Sequence, residues 1–534
     1  MKNRIFITEW KSFKPYGIHS SSDNYYLKLT NEINKIFYKK YNIFLETYLD
    51  KNKIDLLAIF LVSYFEDIIS ETRIFSSFVK KHQELYGTEL PFYDTSEYYE
   101  DEINIQDVKF LIWYFLNTLI DNVLIYPTQP FIHLIAEDVM QVFEREYEYA
   151  PENPVLQIVY QLPDNEKDYY KIRDFLQTII FDTYLFKIDT DFELIQVETK
   201  ILEENKDDEM LPHYINELLD TSTFSVKTKL LALSSKEWAA EILGEQHSLY
   251  NSILNISNKI SGFFFYKGQD ETDIFLEHIA TDKKFKLTKK SFEKYDELTE
   301  IDTIIHIGMV RWQGEWWFSG FFVQMDFDAN LVLDEKKSIK SRMAVNFLDE
   351  DTEEVKDIMQ KYFDAFKAIN NNKQIAFMPA NKVEYFTNKI KEFYNNSLNL
   401  SKKEREVAIK RVKKDGFFGE TNNDNFLDFD EHPEPAVVFF NTKSGIEINF
   451  EVASAFPDKD NPFYKKEDEE VELIRLFADK GISPELVNYC IDNYQNELTF
   501  LHNRLGKIFK DYTDFLSRFY KKENYYSKSH ITMI

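Results

Sequence analysis

Mid-helix carboxylates are the residues of this 534-residue chain best placed to do chemistry. Glu66 and Asp67 lie in YFEDIIS, Asp121 in LIDNVL, Glu137 and Asp138 in HLIAEDV, and Asp182 in IIFDTYL, each within an apolar helical run. His133 stands four residues before Glu137, so the two share a helix face. Inward-facing carboxylates and an imidazole can hold a metal ion in a helical bundle. Glu66, Asp121, His133 and Glu137 are therefore the candidates for a metal-dependent hydrolase or oxidase. The paired Glu-x-x-His motifs of such bundles are absent. On the plainer reading each acid points outward or meets a base such as Arg73, Arg145 or Arg173, because unpaired burial is costly. That reading, with no cofactor and no metal, is preferred.

A second set is basic. KKEREVAIKRVKKDG, residues 402–416, carries Lys402, Lys403, Arg405, Lys410, Arg411, Lys413 and Lys414 against few acids. Such a helix could dock phosphate or an acidic partner, which is the route to a defence or regulatory component that binds nucleic acid locally. A solvated helix face with Glu–Arg pairing is the plainer alternative.

The third set is aromatic. IIHIGMVRWQGEWWFSGFFVQ, residues 304–324, holds three of the six tryptophans and reads as a β-hairpin with Gln313-Gly314 as a two-residue loop. Alternation sorts Val310, Trp312 and Trp317 onto one face and Met309, Arg311 and Trp316 onto the other. Both faces are apolar, so the hairpin is covered on two sides or lends one side to a partner. Arg311, Trp312, Trp316 and Trp317 are the candidate interaction surface, with Arg311 over Trp316 as a cross-strand cation–π pair and the pair expected to stay exposed. Gly308 and Gly320 leave gaps beside these large rings, as expected where another backbone or ring packs closely.

Phosphate loops, G-x-G-x-x-G, H-E-x-x-H, G-x-S-x-G and C-x-x-C are all absent, which excludes the familiar nucleotide, zinc-protease and α/β-hydrolase sites. A net charge of −28 opposes nucleic-acid or anionic-membrane binding through the whole surface. The single cysteine, Cys490, permits no intrachain disulfide and reads as a small core residue. With no signal-peptide core and no uninterrupted apolar run of spanning length, no membrane association is expected and the cytoplasm is the expected location.

These residues must be positioned by mostly helical structure. Thirteen glycines in 534 residues, against a usual share of about 7%, disfavour glycine-hungry folds such as propellers. Helical patterns start at Ser22-Asp23 and cover about 55–72, 106–125, 131–149, 166–186 and 236–256, while 187–202 is ambiguous between strand and helix and the acidic run 203–209 is a loop. Short aromatic and β-branched runs over about 261–327 make four or five strands. Helix returns at 351–369 and 381–414, a second hairpin spans 436–452, and helices on either side of Gly481 and Ser483-Pro484 close the chain. The expected class is α+β, predominantly helical, in five regions: helices over 1–258, a small antiparallel β-domain over 259–348, a helical segment over 349–415, a hairpin with loops over 416–465, and C-terminal helices over 466–534.

The strings ITEWKSFKPYG, SSSDNYYLKLTNEI, YFEDIIS, ELYGTELPFYD and EINIQDVKFLIWYFL resemble an uncharacterised bacterial family known only as a domain of unknown function, over roughly residues 1–190. The resemblance implies a helical N-terminal region in a bacterial intracellular protein and brings no activity with it. Together these features point first to a macromolecular interaction or scaffold protein with a protein partner, and only second to an enzyme.

Overall fold

The computed structural model describes residues 4–120, 124–206, 208, 210–338, 341–342, 345, 353–397 and 434–525. It is α+β and predominantly helical, with helices at both ends and strands between them, as the sequence leads one to expect. The chain divides into two compact units, one of residues 1–259 with 308–321, the other of 260–307 with 322–534.

The first unit is built from α1 (Ile7–Ser12), α2 (Asp23–Ile36), α3 (Asn42–Tyr48), α4 (Lys51–Ile69), α5 (Ile74–Tyr86), α6 (Ile105–Leu119), α7 (Pro130–Glu146), α8 (Pro154–Val159), α9 (Tyr169–Gln177), α10 (Tyr184–Glu204), α11 (Leu211–Ser225), α12 (Ser235–Leu243) and α13 (Tyr250–Leu254). α4 and α6 are its centre. LLAIFLVSYF in α4 and FLIWYFL in α6 are apolar on every face, so neither helix can leave a side in water. α2, α6 and α10 pack on α4, and every residue from Leu57 to Asp67 is buried. Asp50 starts α4 by accepting from the Lys53 amide (3.0 Å), and Pro130 and Pro154 open α7 and α8, where a missing N–H costs nothing.

The ambiguous 187–202 stretch is helical within α10. α11 follows the acidic run and has no counterpart in the sequence reading, because its buried side carries Asp220, Ser222 and Thr223 rather than an apolar stripe. The pattern over 236–256 is two helices, α12 and α13, parted from Gly244 to Leu249.

The second unit contains β1 (Ile260–Gln269), β2 (Asp273–His278) and β3 (Lys284–Thr288), which with β4 (Ile304–Trp312) and β5 (Glu315–Met325) form a closed barrel of order β1-β2-β3-β5-β4. β1 pairs antiparallel with β2, and β2 with β3, with Leu276 opposite both Tyr266 and Phe285. Closure removes open sheet edges, which suits strands as apolar as these. α14 (Ala329–Lys337) follows.

A separate antiparallel sheet of order β6-β7-β8 joins β6 (Ile375–Pro379) to the expected second hairpin, β7 (Pro435–Asn441) and β8 (Gly445–Phe450). β6 was not legible, since five residues ending in proline show too little alternation. α15 (Glu353–Ile369) and α16 (Val383–Ser397) bury Tyr362, Phe366 and Ile390 in one cluster with Val438 and Phe440 of β7. The C-terminal helices are α17 (Glu469–Ala478), α18 (Pro484–Tyr494), α19 (Gly506–Asp511), α20 (Thr513–Tyr520) and α21 (Lys522–Tyr525). Ser483 caps α18 by accepting from the Leu486 amide (3.1 Å), and Pro484 follows it, as the sequence indicates. Cys490 is buried and donates to the Ala455 carbonyl; burial raises its thiol pKa, so it is core material and no nucleophile.

The same C-terminal helices bury a lysine. Lys521 is 1% exposed, its Nζ donates to the Asp479 carbonyl (2.6 Å), and burial depresses its pKa from 10.5 to about 7. The unfolded chain then holds a proton that the folded chain has released between about 7 and 10.5, so this group makes stability rise with pH across that window. In urea titrations Lys521→Met should be more stable than the wild type below pH 7, with the gap closing by up to about 1.4 kcal/mol per pH unit above it. A pH-independent gap would refute the assignment.

Candidate functional site

The helical unit separates the mid-helix carboxylates instead of gathering them. Glu66 is fully buried and pairs with Lys14 Nζ, which also donates to Ser63 Oγ (3.1 Å); its other oxygen accepts from Asn153 Nδ2 (2.9 Å). Burial lowers the Lys14 pKa, and the Glu66 charge beside it pulls the other way. Asp67 accepts from Thr72 Oγ1 (2.5 Å), the Ile74 and Phe75 amides at the start of α5 (3.2 and 2.8 Å) and Tyr184 OH (3.0 Å). Asp138 faces Lys40 Nζ and Tyr41 OH (2.8 and 2.6 Å), and Asp182 lies 3.6 Å from Lys187. His133 meets Tyr93 edge-on at 6.2 Å, while Glu137 is exposed. Asp121 lies outside the described residues, as does the whole basic set Lys402, Lys403, Arg405, Lys410, Arg411, Lys413 and Lys414. Among the described residues no three acids, histidines or cysteines come close enough to share an ion.

The partners of these acids are not the arginines named from the sequence. Arg145 forms a two-pronged pair with Glu32 (3.0 Å), Arg173 sits beside Asp174 (3.0 Å), and Arg73 donates to the Leu243 carbonyl (3.3 Å). Lys14 was missed because it comes from an irregular turn after α1, and only the fold brings it to a residue 52 positions away.

At the hairpin the four aromatic-set candidates divide between buried and solvent-facing positions. Gln313 and Gly314 turn it with φ of +47° and +88°, the two positive values of a type I′ turn. Below the turn, Trp312 is 1% exposed and its Nε1 donates to the Lys167 carbonyl (3.2 Å). Trp317 is 7% exposed and its ring lies 5.9 and 6.2 Å from those of Tyr169 and Tyr170 on α9. These two tryptophans are anchors. Arg311 is exposed, with its guanidinium 5.9 Å from the half-buried Trp316 ring. Ser257 holds the strand there, donating its amide to the Arg311 carbonyl (3.1 Å) and accepting the Arg311 amide on Oγ (2.8 Å). A groove of about 390 Å³ beside the turn is lined by Asn251, Ser252, Asn255, Arg311, Gln313 and Gly314. Amides, a hydroxyl and a guanidinium suit it to polar backbone and carboxylate groups.

A buried ionic cluster seats the tip. Lys259, its side chain 3% exposed, lies 2.8 Å from both Glu217 and Asp220 of α11. Ser319 Oγ donates to Asp220 Oδ2 (2.6 Å) and shares a hydrogen bond with Tyr169 OH (2.5 Å). Glycine is required above it: a Cβ on Gly320, at φ +93°, would come 2.0 Å from Glu217 Oε2 and 2.5 Å from Lys259 Nζ. The backbone expected to pack closely is found at Gly308, where the Ser319 carbonyl lies with the Lys259 stem; at Gly320 the neighbours are neither backbone nor ring but the charged side chains of this cluster.

The chain belongs to the family described as "Protein of unknown function (DUF3843)", whose model matches residues 4–300. No curated protein and no solved structure matches the chain.

Gly320→Ala should lower stability by about 2–4 kcal/mol in urea unfolding, from overpacking plus a strained φ. Gly17→Ala, where a Cβ meets nothing, should change it by about 0.5 kcal/mol or less. Equal midpoints would show that the cluster yields freely.

Asp107 gives a second test in the same unit. It is fully buried, with Tyr98 OH donating to Oδ1 (2.9 Å) and Tyr64 OH to Oδ2 (2.6 Å), and burial lifts its pKa from 3.8 to about 7. The folded chain then keeps a proton between those values that the unfolded chain has lost, so the stability this group contributes falls as pH rises through them. Asp107→Asn should remove that part of the pH dependence. An unchanged stability–pH curve from about 4 to 7 would disprove it.

Proposed function

We propose that this chain is a macromolecular interaction protein that docks a protein partner on the tip of the β4–β5 hairpin. One observation carries the reading: two tryptophans, Trp312 and Trp317, are sunk as anchors, while Arg311 is exposed on a polar groove and stands over the half-buried Trp316 ring. A large aromatic and an arginine on a stiff support lose little conformational freedom on binding, which is why such residues dominate binding energy at interfaces. Arg311 is the charged side chain that lines the groove, so the favoured partner surface offers a carboxylate and backbone polar groups to it. The fold class, the family and the absence of a helix long and apolar enough to cross a membrane among the described residues are compatible with this role.

The test separates surface from core. Trp316→Ala and Arg311→Ala should each keep the wild-type melting temperature and lose, by about tenfold or more, affinity for a partner captured by the wild type. Trp312→Ala should instead cost about 3–5 kcal/mol of stability. The reading fails if the two surface variants retain full affinity, or if their loss of binding tracks a loss of fold.

A further inference from the structure

A groove of about 530 Å³ lies in the helical unit between the α4–α5 turn, the chain after α8 and the end of α12. Arg73 is the one lysine or arginine among the described residues that line it, and it is exposed. Leu162, Pro163 and Leu243 add apolar surface, and the lining also holds two exposed acids, Glu71 and Asp164.

Arg73 is held in place without a counter-ion. Its Nη1 donates to the carbonyl of Leu243, the last residue of α12 (3.3 Å), where the negative end of the helix favours a guanidinium. Among the described residues no carboxylate lies within 4 Å of it, although Glu71 is two positions away and Asp164 lines the same groove. Asp67 clamps the turn from within, accepting from Thr72 Oγ1 and from the Ile74 and Phe75 amides. Arg73 itself takes a left-handed backbone, φ +65°, which is uncommon for a residue with a Cβ and collects at ligand sites. On its other side the guanidinium rests on the bare backbone of Gly244, where a Cβ would come 2.9 Å from Nη1 and 3.0 Å from Nη2. A guanidinium has five N–H donors in a planar fork; the fold uses one, which leaves an edge for two parallel bonds to a carboxylate. The imidazole in the lining is already committed, since His247 Nε2 donates to the Leu162 carbonyl (2.9 Å) and Nδ1 accepts from the Leu249 amide (3.2 Å).

The ligand class follows from the charges and the size of the space. One fixed positive charge beside two acids attracts a single carboxylate, while a doubly charged phosphate meets as much repulsion as attraction. The volume falls within the roughly 300–1,000 Å³ of small-molecule sites, and the apolar surface suits a hydrocarbon body.

We propose that this groove binds the α-carboxylate of an apolar amino acid, with its oxygens on the Arg73 fork and its side chain against Leu162, Pro163 and Leu243. A free amino acid and the last residue of a peptide share this chemistry.

Calorimetric titration of the full chain with leucine, N-acetyl-leucine and leucinamide tests the site and distinguishes the sources. Binding of leucine alone assigns a free amino acid, whose ammonium group the two acids favour, and binding of N-acetyl-leucine assigns a peptide end. Either supports the site if Arg73→Gln weakens it about tenfold or more. Melting of the unliganded variant reports whether it folds. Should Arg73→Gln melt low, Gln161→Glu, an exposed position in the same lining, must weaken binding about threefold or more through its added negative charge. No heat with leucine or N-acetyl-leucine at millimolar concentration, equal binding of leucinamide, or full affinity in a folded Arg73→Gln or Gln161→Glu variant overturns the proposal.

Discussion

Lys259 holds one positive charge between Glu217 and Asp220, almost out of reach of water, and the seating of the hairpin depends on it. A buried charge is tolerated only when its partners and hydrogen bonds are all in place, and breaking such a set by removing one member costs about 3–5 kcal/mol. Here the set joins the residue before β1, two positions of α11, Ser319 of β5 and Tyr169 of α9. Each element is fixed by the need to complete the shell of another. A well-packed apolar seat could match such a set in stability, so removing one member and replacing the whole set are different experiments.

The same device recurs at the N-terminus. Trp10 Nε1, Tyr16 OH and the Ser20 amide all donate to the buried Asp23 carboxylate (3.1, 2.9 and 2.8 Å). Lys14 passes from the face of the Trp10 ring to Glu66, and Asn153 joins Glu66 to Tyr16. All of these residues but Asn153 lie in the strings ITEWKSFKPYG, SSSDNYY and YFEDIIS, on which the family resemblance first stood, and Asp107 lies in another of them. What makes those strings distinctive is therefore a set of polar groups that must be buried together. Their chemistry is structural: every acid in them that looked catalytic has an amide, hydroxyl or ammonium partner.

Much of the fold was legible because its signals are local. Period-two alternation around Gln313-Gly314 marks β4 and β5 and separates Trp316 from Trp312 and Trp317, and Ser483-Pro484 marks the start of α18. The signals failed where a helix face is covered by charges instead of apolar side chains, as in α11, and where a strand is too short to alternate, as in β6. The candidate site was half legible. Arg311 and Trp316 could be named from the hairpin, but Ser257 beside them and the Lys259 cluster beneath them could not, since Ser319 and Asp220 are 99 residues apart.

By itself the sequence determined the helical class, the strands of the central region, the turn at Gln313-Gly314 and membership of a family, because each rests on side chains within a few positions of one another. Only the tertiary structure decided which charges are buried together. It turned Glu66 from a metal candidate into the partner of Lys14 and seated Gly320 on Glu217 and Lys259. Those outcomes depend on Coulomb and desolvation energies between groups far apart in the chain, which no local pattern of residues encodes.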